Sequence, residues 1–207
     1  MASKLSHRNL HLGSDIVFGI DLPRNPLHRT GLGISAFRST HPGESNYKNY
    51  EALALIIDEY IEKTGLPVKI FAFDSELEND TSAAIHIYNL VKNKPSVELV
   101  FYLGEVDGFL EKFNSCANHL TIRFHSAVLA DALGIPFYPI CYSNKTASLI
   151  SDRHPNSEIV DIKELAINNL NQLLITEKII AGSTLCLSEL KELNPEIHFE
   201  KLSELLG

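Results

Sequence analysis

The chain has 207 residues, of which 44% are hydrophobic and 21% are charged, and its formal net charge at pH 7 is −8. This composition excludes a disordered or fibrous protein and provides enough apolar residues for one substantial core. The negative charge argues against sequence-independent binding of nucleic acid, which requires clustered Lys and Arg side chains.

Residues 1–30 do not follow the pattern of the rest of the chain. Asp15–Asp21 (DIVFGID) is a lone strand-like run, and a turn-rich segment follows it. We therefore expect an N-terminal extension or linker over residues 1–30. A Rossmann-like ligand-binding domain is predicted over residues 31–183 and a C-terminal helical tail over residues 184–207.

From Gly31 onward, short apolar runs alternate with longer segments of helical spacing. The predicted strands are Gly31–Phe37, Val68–Asp74, Val97–Leu103, His119–Phe124 and Pro136–Tyr142. The predicted helices are Tyr47–Lys63, Asp80–Val91, Val106–Asn114, His125–Leu133, Lys145–Ser151 and Ile162–Ile180. Continuous apolar strands are typical of parallel sheets covered on both faces. The sequence predicts an α/β fold, a Rossmann-like parallel sheet with helices on both faces.

Metal sites and membrane spans have no sequence signal in this chain. The three cysteines, Cys116, Cys141 and Cys186, are widely spaced and form neither a disulfide framework nor a CxxC pair. The nine histidines show no HExxH or other ligand spacing. No apolar run reaches the roughly 18 residues of a membrane span, and the N-terminus lacks the apolar region of a signal peptide. We expect a cytoplasmic protein without a metal, a cofactor or stable membrane insertion.

The strongest site signal is the segment Thr121–Pro136 (TIRFHSAVLADALGIP), where Arg123 and His125 stand between a strand and a helix. The free N–H groups and the positive dipole end of a helix favour an anion. Arg123 adds a bidentate fork for carboxylate or phosphate, and His125 adds a donor that titrates near neutral pH. The alternative is that Arg123 pairs with a neighbouring acid and His125 only starts the helix.

This segment and the strand after it (RFHSAVLADALGIPFYPICYSNK) resemble the polysaccharide pyruvyl transferase family over roughly residues 15–155. The family pattern has Arg-x-His, a small-residue helix, a Gly-x-Pro turn, a strand, and Lys after a Tyr-containing loop. The matching residues are Arg123, His125, Gly134, Pro136, Tyr142 and Lys145. The resemblance implies the C-terminal half of a two-domain, GT-B-type transferase, with the first half on a preceding domain or a companion subunit.

The resemblance also implies the reaction and its site. The enzyme takes phosphoenolpyruvate as donor, without another cofactor, and places a pyruvate ketal on a sugar of a cell-surface polysaccharide. The implied donor site contains Arg38, which follows the first strand, together with Arg123, Phe124, His125 and Lys145. His125 is the implied catalytic residue, either as an acid or as a phosphate donor. Solvent-exposed roles for Arg38 and Lys145 stay open.

Two other local patterns indicate no ligand of their own. GLGISA matches G-x-G-x-x-A, but Gly31 and Gly33 come before and within a strand, whereas a dinucleotide fingerprint follows one. The acidic run Asp74–Asp80 (DSELEND) follows the second strand, where a carboxylate can bind a sugar hydroxyl. For Asp80, the N-cap of the next helix is the favoured role.

Two further functions fit the same sequence. One is the nucleotide-sugar-binding half of a GT-B glycosyltransferase. Binding of a uridine or guanosine diphosphate sugar would indicate this function. The other is a non-catalytic module that binds a sugar or a protein partner.

Overall fold

The computed structural model describes residue 22 and residues 28–39, 46–155, 157–167 and 169–182, without the side chains of 169 and 170. Within these residues six parallel strands form one sheet in the order β3-β2-β1-β4-β5-β6. The strands are β1 (Leu32–Ser35), β2 (Val68–Ala72), β3 (Val97–Phe101), β4 (Asn118–Thr121), β5 (Phe137–Cys141) and β6 (Val160–Asp161).

Helices lie between successive strands and after the last one. They are α1 (Asn46–Thr64), α2 (Asp80–Leu90), α3 (Val106–Asn114), α4 (Phe124–Ala132), α5 (Asn144–Arg153), α6 (Ile162–Leu165) and α7 (Asn169–Ile180). A short 3₁₀ helix, Lys94–Ser96, precedes β3. The prediction of alternating strands and crossover helices is confirmed.

The core consists of two apolar clusters, one on each face of the sheet. Successive strand residues point to opposite faces, so Ile70 packs with α1, α2 and α7, whereas Phe71 packs with α3, α4 and α5. Burial on both faces explains why β1 (LGIS) and β5 (FYPIC) are made of apolar or small residues. The predicted Rossmann-like fold with helices on both faces is confirmed.

The order of the strands reverses between β1 and β4. From β1 the chain moves outward to β2 and β3, and it then returns to place β4 on the other side of β1. In open α/β sheets, ligands bind at the carboxyl ends of the strands beside this point of reversal. The segments after β1 and β4 are therefore the first place to look for a site.

One predicted helix is wrong in its extent. The segment Ile162–Ile180 was expected to be continuous, but the structure contains α6 and, separately, α7. The side-chain amides of Asn171 and Gln172 donate to the carbonyls of Glu164 and Leu165, at 2.8 and 2.9 Å. These polar contacts satisfy carbonyls at the end of α6, so the backbone turns there although the apolar spacing continues.

Two predicted segments lie outside the described residues. They are the strand-like run Asp15–Asp21 and the helical tail over residues 184–207. Where the predicted linker is described, it is fixed to the sheet domain. Arg29 donates to the Asn114 carbonyl and side chain, and to the carbonyls of Leu133 and Gly134, at 2.7 to 3.1 Å. None of the helices in the described ranges is long and apolar enough to cross a bilayer.

Candidate functional site

Ser35 joins the carboxyl ends of β1 and β4. Its Oγ accepts hydrogen bonds from the backbone N–H of Ile122 at 2.7 Å and of Arg123 at 3.3 Å. Ser126, in the first turn of α4, places its Oγ 3.1 Å from the same oxygen. Because these three contacts bridge two strands and a helix, the backbone that presents Arg123 is held rigidly.

Arg123 is the N-cap residue of α4, and its side chain is buried, with 6% exposure. Nε donates to both carboxylate oxygens of Asp80 at 3.0 Å, and Nη2 donates to Asp80 Oδ1. Nη1 donates to Glu78 Oε2. The guanidinium is therefore paired with two acids. The sequence left this pairing open as the alternative to a role of Arg123 in binding a ligand.

Asp80 does not cap α2, so that prediction is wrong. Asn79 is the N-cap: its side chain accepts from the N–H of Ser82 at 3.1 Å, and its φ of 52° puts it in the left-handed region. Asp80 is the first residue of the helix and has no exposed side-chain surface. Burial raises the pKa of Asp80, and the hydrogen bonds from Arg123 oppose that shift. The cap is one residue earlier than predicted because the Asp80 carboxylate binds the buried guanidinium of Arg123 instead.

Two aromatic rings complete the surroundings of Arg123. Its guanidinium carbon lies 4.8 Å from the centroid of the Phe37 ring, within the range of a cation–π contact. The Phe37 ring packs against Tyr142, with 4.3 Å between centroids. The residues that follow β1, β4 and β5 thus meet around one guanidinium.

Phe124, His125 and Lys145 form a second, more exposed group. His125 and Lys145 are exposed, and Phe124 is half-buried. Lys145 Nζ lies 3.8 Å from the Phe124 ring centroid, and the Phe124 and His125 rings pack edge to face with centroids 5.4 Å apart. His125 lies in the first turn of α4, which begins at Phe124, one residue before the predicted start of this helix. The predicted Phe124, His125 and Lys145 are brought together.

Arg38 lies in the segment after β1, and its side chain is exposed. Burial raises the pKa of Tyr50 in α1, while the charges of Arg38 and Arg123 both act to lower it. Both guanidinium groups are thus within electrostatic reach of one buried phenol. Arg38 follows β1 and Arg123 follows β4, so both lie at the carboxyl ends of neighbouring strands.

Sequence reasoning did not assign Glu78, Phe37 or Ser35 to the site. The signal for Glu78 was the acidic run after β2, since this run and Arg123 both follow carboxyl ends of strands. Ser35 and Phe37 gave no signal, because a small hydroxyl and an aromatic residue at a strand end are also ordinary core residues. No group of three His, Cys, Asp or Glu side chains that could hold a metal occurs among the residues the structure describes.

The family model of polysaccharide pyruvyl transferases matches residues 2–144 of this chain. The chain belongs to the polysaccharide pyruvyl transferase family. The matched range contains Arg38, Arg123, Phe124 and His125, and it ends one residue before Lys145. The residues around the reversal of strand order therefore belong to the part of the chain that is typical of pyruvyl transferases.

Two further comparisons add little to this assignment. No curated protein matches this chain. Among solved structures, that of the MAR1 ribonuclease from Caenorhabditis elegans has 9% sequence identity and a TM-score of 0.40, over 78% of this chain and 95% of that chain.

Proposed function

We propose that this member of the pyruvyl transferase family binds phosphoenolpyruvate at the carboxyl ends of β1 and β4 and transfers a pyruvate ketal to a sugar of a cell-surface polysaccharide. The observation that carries this proposal is the position of Arg123-Phe124-His125. These residues lie at the reversal of strand order and open α4, in a chain that the family model matches. Both features favour an anionic ligand at this end of the sheet.

The opening turn of α4 offers donors to such a ligand. The first hydrogen bonds of the turn are donated by Ser126 and Ala127 to the Arg123 carbonyl. The N–H groups of Phe124 and His125 precede them and belong to the end of the helix where N–H groups point outward. Arg38, Lys145 and the imidazole of His125 are exposed, so the site combines the N–H groups of the helix end with side chains that a ligand from solvent can reach.

The reaction requires a proton at the methylene carbon of phosphoenolpyruvate and stabilisation of the negative charge on its carboxylate and on the leaving phosphate. One sugar hydroxyl adds to the enol carbon of phosphoenolpyruvate while the methylene carbon gains a proton and becomes a methyl group. A second hydroxyl then displaces phosphate, its proton leaves with the phosphate, and the cyclic ketal remains. His125 supplies the proton or holds the phosphate, and the cations stabilise the carboxylate and the leaving group.

Titration calorimetry with phosphoenolpyruvate tests this site. We expect His125→Gln and Lys145→Ala to weaken binding without changing the thermal midpoint, since both side chains are exposed. Lys92→Ala is the control, because Lys92 is an exposed lysine next to the opposite, amino-terminal edge of the sheet.

Three outcomes would contradict the proposal. Equal affinities for all variants would place the ligand elsewhere. Binding of a uridine or guanosine diphosphate sugar in place of phosphoenolpyruvate would indicate a glycosyltransferase. Binding of phosphoenolpyruvate without turnover, even with a polysaccharide acceptor and a companion domain, would indicate a non-catalytic module.

A further inference from the structure

The two carboxylates on Arg123 occupy different edges of its guanidinium. An arginine has five N–H donors in a planar fork. Asp80 accepts hydrogen bonds from Nε and from one N–H of Nη2, and these two nitrogens form the side of the fork. Glu78 takes one donor of Nη1, at the far end. The end of the fork formed by Nη1 and Nη2 is the edge at which a second carboxylate can bind with two parallel hydrogen bonds.

The two acids also differ in how firmly they are held. Asp80 is fully buried and starts α2, whereas the Glu78 side chain is 49% exposed and lies in the preceding loop. If Asp80 lost its contact with Arg123, it would become an unpaired buried charge, which is costly. Glu78 can turn into water at little cost.

The backbone of this loop does not depend on the Glu78 side chain. Asp74 accepts hydrogen bonds from the N–H groups of Glu76, Leu77 and Glu78 at 2.7, 3.0 and 3.2 Å. The Asp80 N–H donates to the Asp74 carbonyl at 2.7 Å. Because the loop is closed through Asp74, the Glu78 side chain can move while the loop keeps its form.

We propose that Glu78 is a built-in competitor for the donor, and that the carboxylate of phosphoenolpyruvate takes its place on the Nη1 end of Arg123. This inference rests on the proposed function and assigns one anionic group of the donor to one edge of one side chain. Asp80 keeps the fork in position during the exchange, and Phe37 covers its face at 4.8 Å. A carboxylate replaces a carboxylate, so the charge in direct contact with the Nη1 end of Arg123 is the same before and after binding.

The exchange is tested by comparing two variants, Glu78→Gln and Glu76→Gln, in their affinity for phosphoenolpyruvate. Both variants remove one negative charge from the same exposed loop, but Glu78 pairs with Arg123, whereas the Glu76 side chain is exposed to solvent. We expect Glu78→Gln to bind the donor about fivefold more tightly, because the half-exposed Glu78 carboxylate no longer competes for Arg123. Glu76→Gln is expected to stay within about twofold of the unchanged protein, because a charge in water is screened.

Pyruvate and inorganic phosphate, used as competitors of phosphoenolpyruvate, identify the group that is exchanged. Pyruvate carries the carboxylate alone and is expected to share the gain in Glu78→Gln, whereas phosphate is not. A gain for phosphate and none for pyruvate would overturn the assignment, as would equal affinities of the two glutamine variants for the donor.

The same data separate this inference from the proposed function. If His125→Gln weakens donor binding but Glu78→Gln changes nothing, the site stands and the exchange is wrong. If phosphoenolpyruvate binds to none of the proteins, both are wrong. The thermal midpoint of each variant verifies that it is folded.

Discussion

Arg123 and Asp80, which are 43 positions apart in the sequence, form an ion pair in which the two side chains are 6% and 0% exposed. Arg123 follows β4 and Asp80 follows β2, and β1 lies between these two strands. Their contact therefore spans the carboxyl end of β1. The ion pair links the start of α2 to the start of α4, whose first turn lies in the candidate donor site.

Asp80→Asn is expected to lower the free energy of unfolding by about 3 kcal/mol, because the buried guanidinium loses its buried partner and keeps the half-exposed Glu78 carboxylate alone. Urea unfolding followed by circular dichroism measures this loss. Glu98→Gln is a matched control, since Glu98 pairs with Lys112 at 2.6 Å with side chains 44% and 50% exposed. Surface pairs of this kind contribute no more than about 1 kcal/mol. Equal midpoints for the two variants would contradict a stabilising role for the pair.

The fold could be predicted because short runs rich in apolar residues alternate with longer segments of helical spacing. Val68–Ala72 and Asn46–Thr64 both lie within two residues of their predicted bounds. The partners of Arg123 could not be predicted in this way. Local patterns do not give the strand order, and only the placement of β2 and β4 on either side of β1 decides which loops meet. The acids after β2 and the arginine after β4 were therefore recognised separately and not as one cluster.

Asn79 is expected to be sensitive to alanine and tolerant of glycine. Its side chain caps α2 through Ser82, and its backbone is left-handed, with φ of 52° and ψ of 49°. Asn79→Ala loses the cap and keeps a Cβ in a conformation that disfavours it, which costs about 1 to 2 kcal/mol. Asn79→Gly also loses the cap but relieves the backbone, so a change of only a few tenths of a kcal/mol is expected. If glycine were as harmful as alanine in thermal unfolding, the left-handed backbone would not be the cause.

His119 in β4 makes stability depend on pH. Its ring is buried, stacks on Phe113 with centroids 3.8 Å apart and donates from Nε2 to the Phe113 carbonyl at 2.9 Å. Burial lowers the pKa of His119 from 6.5 to about 3. The unfolded chain therefore binds a proton that the folded protein does not, so the stabilisation is complete above pH 6.5 and is lost as the pH falls toward 3.

The pH dependence of unfolding tests this proton linkage. Between pH 6.5 and 5, where most carboxylates stay ionised, His119 is expected to lower the free energy of unfolding by up to about 1.4 kcal/mol per pH unit. His119→Gln keeps an amide donor for Phe113 and does not titrate, so this part of the slope is expected to disappear. Equal slopes for the two proteins would mean that His119 does not set the acid sensitivity.

Gly33 in β1 is expected to tolerate no side chain, because the His119 ring occupies the space above it. A Cβ at Gly33 would lie 2.2 Å from Cε1 of His119, and that ring is fixed by its stacking on Phe113. Gly33→Ala is therefore expected to cost about 1 to 3 kcal/mol in urea unfolding, as overpacking in a dense core does. Gly108→Ala is the control, since the closest atom to its Cβ is Oε2 of Glu105, at the end of a flexible side chain. A loss at Gly33 no larger than at Gly108 would mean that the ring can move aside. If the clash is with the ring itself, Gly33→Ala is expected to cost less when His119 is already replaced by serine.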